Sequence, residues 1–127
     1  LDGRIVQSVS GGGHFGGGLF INAKDMARFG LLTLRKGNWN GKQLIDSSWI
    51  NLSTTPTPAN PGYGFMNFFL NTGKKFLPSA PESAYAHIGN GTNMIYVDRE
   101  NDLVVVARWI DNSQLDALIT RVLSAIK

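Results

Sequence analysis

Residues 84–109, AYAHIGNGTNMIYVDRENDLVVVARW, constrain the fold more than any other stretch of this chain. They read as three antiparallel strands, over 84–88, 92–98 and 103–110, joined by two tight turns. The third strand, LVVVARWI, is almost continuously apolar and β-branched. A strand covered on both faces reads that way, so it is expected in the interior. The middle strand sets Met94 and Tyr96 on one face against Asn93, Ile95 and Val97 on the other, and its two faces should meet different surroundings. Asp98-Arg99-Glu100-Asn101-Asp102 carries the chemistry of a hairpin loop, with Asn101 suited to a left-handed backbone. Gly89-Asn90-Gly91 is nearly bare backbone, which either tightens a turn or lets a ligand approach the peptide groups.

Upstream, residues 4–9 form a plausible strand, followed by the glycine-dense stretch 10–18 with His14 inside it. Gly11, Gly13 and Gly16 satisfy G-x-G-x-x-G after a strand, but a dinucleotide site needs a helix opening at the third glycine and an acid at a strand end roughly 20 residues on. The helix signal comes later. Asn22 is an N-cap with Asp25 at N3, the run through Met26, Phe29, Leu31, Leu32 and Leu34 reads as a well-buried helix, and Gly37 closes it. Asn40-Gly41 suits a type I′ turn, and Asp46 caps a short helix through Leu52. Residues 54–64, rich in Pro and Thr, read as a surface loop. Residues 63–71 read as an aromatic-rich strand or extended segment, and Thr72-Gly73-Lys74 as a polar turn. Ser113 and Asp116 resemble a capping box opening a C-terminal helix whose apolar positions include Leu115, Leu118, Ile119, Val122, Leu123 and Ile126. That helix needs a covering partner, and a sheet face supplies one, giving an α+β fold. In it a helix- and loop-rich region over 1–80 precedes a three-stranded antiparallel sheet and helix over 81–127.

At 127 residues and 43% hydrophobic the chain can bury one core. Its net charge of +3, from 12 basic and 9 acidic residues without clustering, gives no nucleic-acid footprint. With no cysteine there are no disulfides, thiolate nucleophiles or Cys-based metal sites. No apolar run is long enough to span a membrane and no basic-then-apolar N-terminus reads as a signal peptide; the chain begins at Leu1 and is expected to be processed or partial. His14 and His87 lack Cys, Asp or Glu partners at metal-ligand spacing. No cofactor or metal is expected, and His14 reads as a loop residue. Trp109, Phe65 and Phe68 are core or interface candidates.

His87-Ile88-Gly89 at the end of an edge strand, followed by small residues, a strand ending Tyr-Val-Asp and a Leu-Val-Val-Val strand, resembles the C-terminal part of the serine β-lactamase and penicillin-binding-protein-like hydrolases. A Gly-Gly-Leu lead-in at 17–19, the helix Ala23-Lys-Asp-Met-Ala-Arg-Phe29 and the Gly37-Asn-Trp-Asn-Gly41 hairpin resemble the same family in the same order. The resemblance implies an acyl-enzyme mechanism on amide or ester bonds. A serine in a Ser-x-x-Lys motif attacks, a Tyr-x-Asn motif assists proton transfer, and a third motif of His-x-Gly type lines the opposite wall. On it, His87 and Gly89 belong to the third motif and the backbone N–H of Asn90 is one oxyanion donor. Such a donor contributes about 3 kcal/mol to the transition state.

Tyr63, Tyr85 and Tyr96 each lack an Asn two positions on, and the nucleophile motif is expected to be missing as well. The resemblance puts the serine-bearing helix, the first helix and the first two sheet strands before Leu1. The chain is therefore expected to be inactive alone and to be one wall of a larger hydrolase that takes a small acyl substrate. Its expected partner is the missing N-terminal portion, or a second copy, along the 103–110 strand, with no nucleic acid and no membrane segment. A periplasmic or secreted location is what the family suggests. Two alternatives stay open: His87 as a strand-end imidazole held for structure, and the chain as a non-catalytic binding or assembly module of the same lineage.

Overall fold

The computed structural model describes residues 4–5, 19–65 and 68–126, with side chains from position 21 onward. Strand β1 (Arg4–Ile5) pairs antiparallel with β2 (Leu19–Phe20). The rest of the expected 4–9 strand, and the glycine stretch with His14, lie outside the described residues.

Helix α1 (Ala23–Leu34) opens at Asn22, whose side chain accepts from the Asp25 N–H at 2.8 Å. Asp25, buried, also pairs with Arg28. A hairpin follows, β3 (Asn38–Trp39) and β4 (Lys42–Gln43), turned by Asn40 and Gly41 at φ +49° and +82°, the two positive values a type I′ turn requires. Asp46 caps α2 (Ser47–Ser53) by accepting from the Ser48 N–H. The loop over 54–64 is largely exposed.

The main sheet has four antiparallel strands in the order β5 (Phe69–Leu70), β6 (Tyr85–Gly89), β7 (Asn93–Asp98) and β8 (Leu103–Ala107). Alternation divides its side chains. Ala86, Met94 and Tyr96 pack with Leu115 and Ile119 of α3 (Leu115–Ala125), while Tyr85, Ile95 and Val97 pack with Met26 and Leu34 of α1. The sheet is thus covered by one helix on each face, and burying an Ile or Leu side chain in such a layer stabilises by about 2 kcal/mol. The close approach of α1 depends on Gly30, where an added Cβ would fall 2.6 Å from Val104 and 2.7 Å from Ile95. Between β5 and β6, the buried Asn71 amide donates to the Leu77 and Pro81 carbonyls and its oxygen accepts from the Leu77 N–H. That network fixes the chain just before it enters β6.

Several expectations are corrected. The expected three-stranded sheet has a fourth strand, supplied by the aromatic 63–71 segment, and because its Phe69 and Leu70 pair with Ala86 and Tyr85 the strand that carries His87 is an inner strand and not an edge. The 103–110 segment forms a strand only to Ala107, because Trp109 turns to φ +56°. It is half-buried rather than interior, because β8 is an edge of the sheet. In α1, Phe29 and Leu31 are exposed and Leu32 half-buried. The stripe facing the sheet runs through Met26, Gly30, Thr33 and Leu34, a helical i, i+4, i+7, i+8 set. In the 98–102 loop Asp102, not Asn101, takes the left-handed backbone, at φ +49°. Ser113 does not cap the C-terminal helix: Asp111 caps a short 3-10 turn by accepting from the Ser113 N–H and hydroxyl, and α3 follows from Gln114 without a side-chain cap. Asp116 reaches instead across to the Ser79 N–H and hydroxyl. Leu118 and Val122 lie only half-buried, beside the stripe of α3 that carries Leu115, Ile119 and Leu123.

Candidate functional site

Pairing of β6 with β7 places His87 opposite Ile95 and Gly89 opposite Asn93, so the His-Ile-Gly segment ends the strand and the 89–93 turn continues from it. His87 points to the α1 face. There Phe68, Phe29 and Tyr85 surround its ring at centroid distances of 4.4, 5.2 and 5.9 Å, and the residue is 6% exposed. Phe29, pushed off the sheet-facing stripe of its helix, therefore still covers the imidazole. Phe68 is buried as a core residue and Phe65 is half-buried against Trp49.

The turn itself faces outward. Gly89 and Asn90 are exposed, and a Cβ added at Gly89 would meet nothing nearer than the Asn93 carbonyl oxygen at 4.0 Å. The side-chain position of Gly89 is thus open space. Gly91 differs, with φ +73° and the six-membered part of the Trp109 indole lying where its side chain would be. Trp109 is 72% exposed, a surface residue rather than part of the core. Asn93 donates from its side chain to the Asn90 carbonyl at 2.6 Å, and Arg108 Nε donates to the Asn93 side-chain oxygen at 3.4 Å. Neither Asn93 nor Trp109 stood out in the sequence for this turn. The available signal was an Asn two residues past the second glycine and an aromatic just past the Val run.

The other end of β6 is chemically separate. Burial pushes the Tyr85 hydroxyl up from its ordinary value, with Thr33 and Arg99 nearby opposing, and the Arg99 guanidinium sits 5.1 Å over the Tyr85 ring. Burial likewise raises Tyr96, helped by its hydrogen bond to the Asp98 carboxylate and the charges of Asp98 and Glu100. Among the described residues no three His, Cys, Asp or Glu side chains cluster as metal ligands.

The expected lack of a Ser-x-x-Lys sequence needs a correction, since Ser124-Ala125-Ile126-Lys127 has those letters. Ser124 is exposed on the last turn of α3, donating to the Thr120 carbonyl at 2.8 Å, and Lys127 lies outside the described residues. That helix covers the sheet face opposite His87. The spacing there is explained by an ordinary helix end.

Comparison with known proteins gives three findings. The family model for Beta-lactamase matches residues 3–113. An N-acetylmuramyl-L-alanine amidase of Bacillus subtilis (strain 168) is 34% identical over 93 residues, 69% of this chain and 20% of that protein. A solved structure described as a 6-aminohexanoate-dimer hydrolase from Bacillus anthracis superposes with a TM-score of 0.60 at 22% identity, over 85% of this chain and 29% of the other. The chain thus spans a fifth to under a third of the length of the proteins it resembles. Among the described residues no helix is long and apolar enough to cross a membrane.

Proposed function

Because this chain belongs to the Beta-lactamase family, we propose that it supplies one wall of the site of a serine hydrolase that works through an acyl-enzyme. The observation carrying this is the position of His87-Ile88-Gly89 at the end of β6, running into an exposed turn with open space over Gly89. The Asn90 N–H is the oxyanion donor of this wall. Gly89 leaves room for the acyl oxygen to approach, and His87, enclosed by aromatic rings, keeps the strand end packed against α1. The curated relative is named an amidase, which favours an amide over an ester as the bond cleaved. The nucleophilic serine and its base come from outside this chain, so the chain alone turns nothing over. Its partner is the rest of the same protein, or a second copy, along the outer edge of β8, to which no strand pairs among the described residues.

The test uses the intact protein and a fluorophosphonate probe, which phosphonylates an activated serine. Asn90→Pro removes the N–H and is expected to slow labelling by about 10²- to 10³-fold, the cost of losing one oxyanion donor. Asn90→Ala keeps the N–H and should slow it less than about tenfold. Labelling of Asn90→Pro at the unaltered rate would remove the amide from the mechanism. An intact protein with no labelled serine would favour the non-catalytic module.

A further inference from the structure

Residues 89–91 contain almost nothing that could hold their own shape. Gly89 and Gly91 have no side chains, and the side-chain contacts to the turn come from Asn93 and from residues 108–109, just past β8. An oxyanion donor is useful only if fixed beforehand, since its advantage over water is that it need not reorganise when charge develops. Something outside the turn must therefore fix it.

Building on the oxyanion reading above, we propose that Trp109 is a positioning residue, which clamps the 89–91 turn and holds the Asn90 amide in its donating orientation, with Asn93 as a hydrogen-bonded strut. The first support is the indole itself. It occupies the side-chain place of Gly91 and leaves most of its surface in solvent, so its contact with the turn is not a by-product of core packing. The second is its backbone. Trp109 sits at φ +56°, in the left-handed region where a bulky L residue is strained. Such strain persists only where surrounding contacts impose it, and β8 ends at Ala107, three residues short of the expected 103–110 strand, with the Trp109 ring set against the neighbouring turn. The third is the link from Arg108 to the Asn93 oxygen and from the Asn93 amide to the Asn90 carbonyl. Two consecutive residues, Arg108 and Trp109, thus reach the same turn by different chemistry. Trp109 acts through the peptide of residues 90–91 and is given no contact with substrate.

The intact protein tests this with two independent readouts. An indole over Gly91 shifts the Gly91 Hα resonances upfield, which reports the clamp without any reference to acylation. Labelling by the fluorophosphonate probe separates the maximal rate from probe affinity. Trp109→Asn removes the ring and tolerates a positive φ, so it should fold. It is expected to abolish the upfield shift and lower the maximal labelling rate about tenfold, with affinity changed less than about twofold, as a misplaced donor would. Trp109→Phe, which restores an aromatic ring, should recover part of both signals. The inference is overturned if Gly91 shows no ring-current shift in the unaltered protein. It is equally overturned if Trp109→Asn labels at the unaltered rate while Asn90→Pro does not. If Asn90→Pro labels normally while Trp109→Asn still moves the Gly91 resonances, the oxyanion assignment falls and the clamp on the turn stands.

Discussion

The two turns that flank β7 are held in opposite ways. At the β7–β8 turn the Asp98 carboxylate accepts from the Tyr96 hydroxyl, the Glu100 and Asn101 N–H groups and the Asn101 side-chain amide, at 2.7 to 3.1 Å. Those donors all lie within three residues of Asp98, and Asp98 is fully buried. From a distance come only exposed contacts, the Ser83 hydroxyl donating to Glu100 at 2.6 Å and an Arg35–Asp102 ion pair, the latter of a kind that contributes about 1 kcal/mol or less. The β6–β7 turn has no such carboxylate; its one local side-chain bond, from the Asn93 amide to the Asn90 carbonyl, is backed by Arg108 and Trp109 from beyond the next strand. A turn that carries its own acceptor is a stable piece of scaffold. One held from a distance keeps its peptide groups uncovered, as a site built on backbone amides requires.

The largest expected effect comes from Asp98→Ala in the intact protein. It leaves the Tyr96 hydroxyl and the local amides without their acceptor in a buried position. A loss of about 3 kcal/mol in unfolding free energy follows, read as a lower denaturation midpoint at constant slope. Probe labelling per folded molecule should change little, because the turn lies at the other end of β7 from Asn90. A stability loss under about 1 kcal/mol would mean the turn is not self-supporting and the contrast fails.

Gly91→Ala comes next, at about 2 kcal/mol, since the methyl group meets both an unfavourable φ and the Trp109 ring. With Trp109→Asn already in place the same change should cost about 1 kcal/mol, leaving the φ penalty alone. A double-mutant cycle measures that difference. Strict additivity would show that the ring and the turn do not touch in solution.

The same contrast explains what could be read from the sequence. The hairpin at 98–102, the Asn22 and Asp46 caps and the 40–41 turn are set by residues close to one another in the chain, and side-chain chemistry announced them. The left-handed residue was misplaced by one, at Asn101 rather than Asp102, because several polar residues there can take that backbone. Where an element's fate depended on distant partners, the pattern misled. Phe29 and Leu31 looked buried because they are apolar, yet Gly30 is the point of contact, since only a residue without a side chain lets α1 meet Val104 and Ile95. The Val run of β8 showed that both faces would be covered, but not that the strand lies at an edge. For the candidate site, the glycines and His87 were visible as letters. The aromatic sleeve and the Trp109 contact join residues far apart in the chain, which no local pattern records.

The smallest expected effect concerns protons. Burial, with the Asp98 carboxylate beside it, raises Tyr96 above the ordinary phenol range in the folded protein, whereas in the unfolded chain it titrates near its usual value of about 10. Below pH 10 both states hold the proton and stability is at its full value. As pH rises above 10 the unfolded chain releases the proton while the folded one keeps it, so stability falls by up to about 1.4 kcal/mol per pH unit from this group. Tyr85, also raised by burial, acts in the same direction. Residues 89–93 contain no titratable side chain, so this alkaline sensitivity belongs to the self-supporting turn and its strand. Denaturant unfolding between pH 9 and 11 measures it. Tyr96→Phe, which costs about 1 kcal/mol at neutral pH through the lost hydrogen bond, should give a shallower decline than the unaltered protein, so that the gap between the two narrows as pH rises. Parallel curves would mean that Tyr96 ionises as easily in the folded protein as out of it, and that the Asp98 turn is open enough to water to lose its distinction from the turn at Asn90.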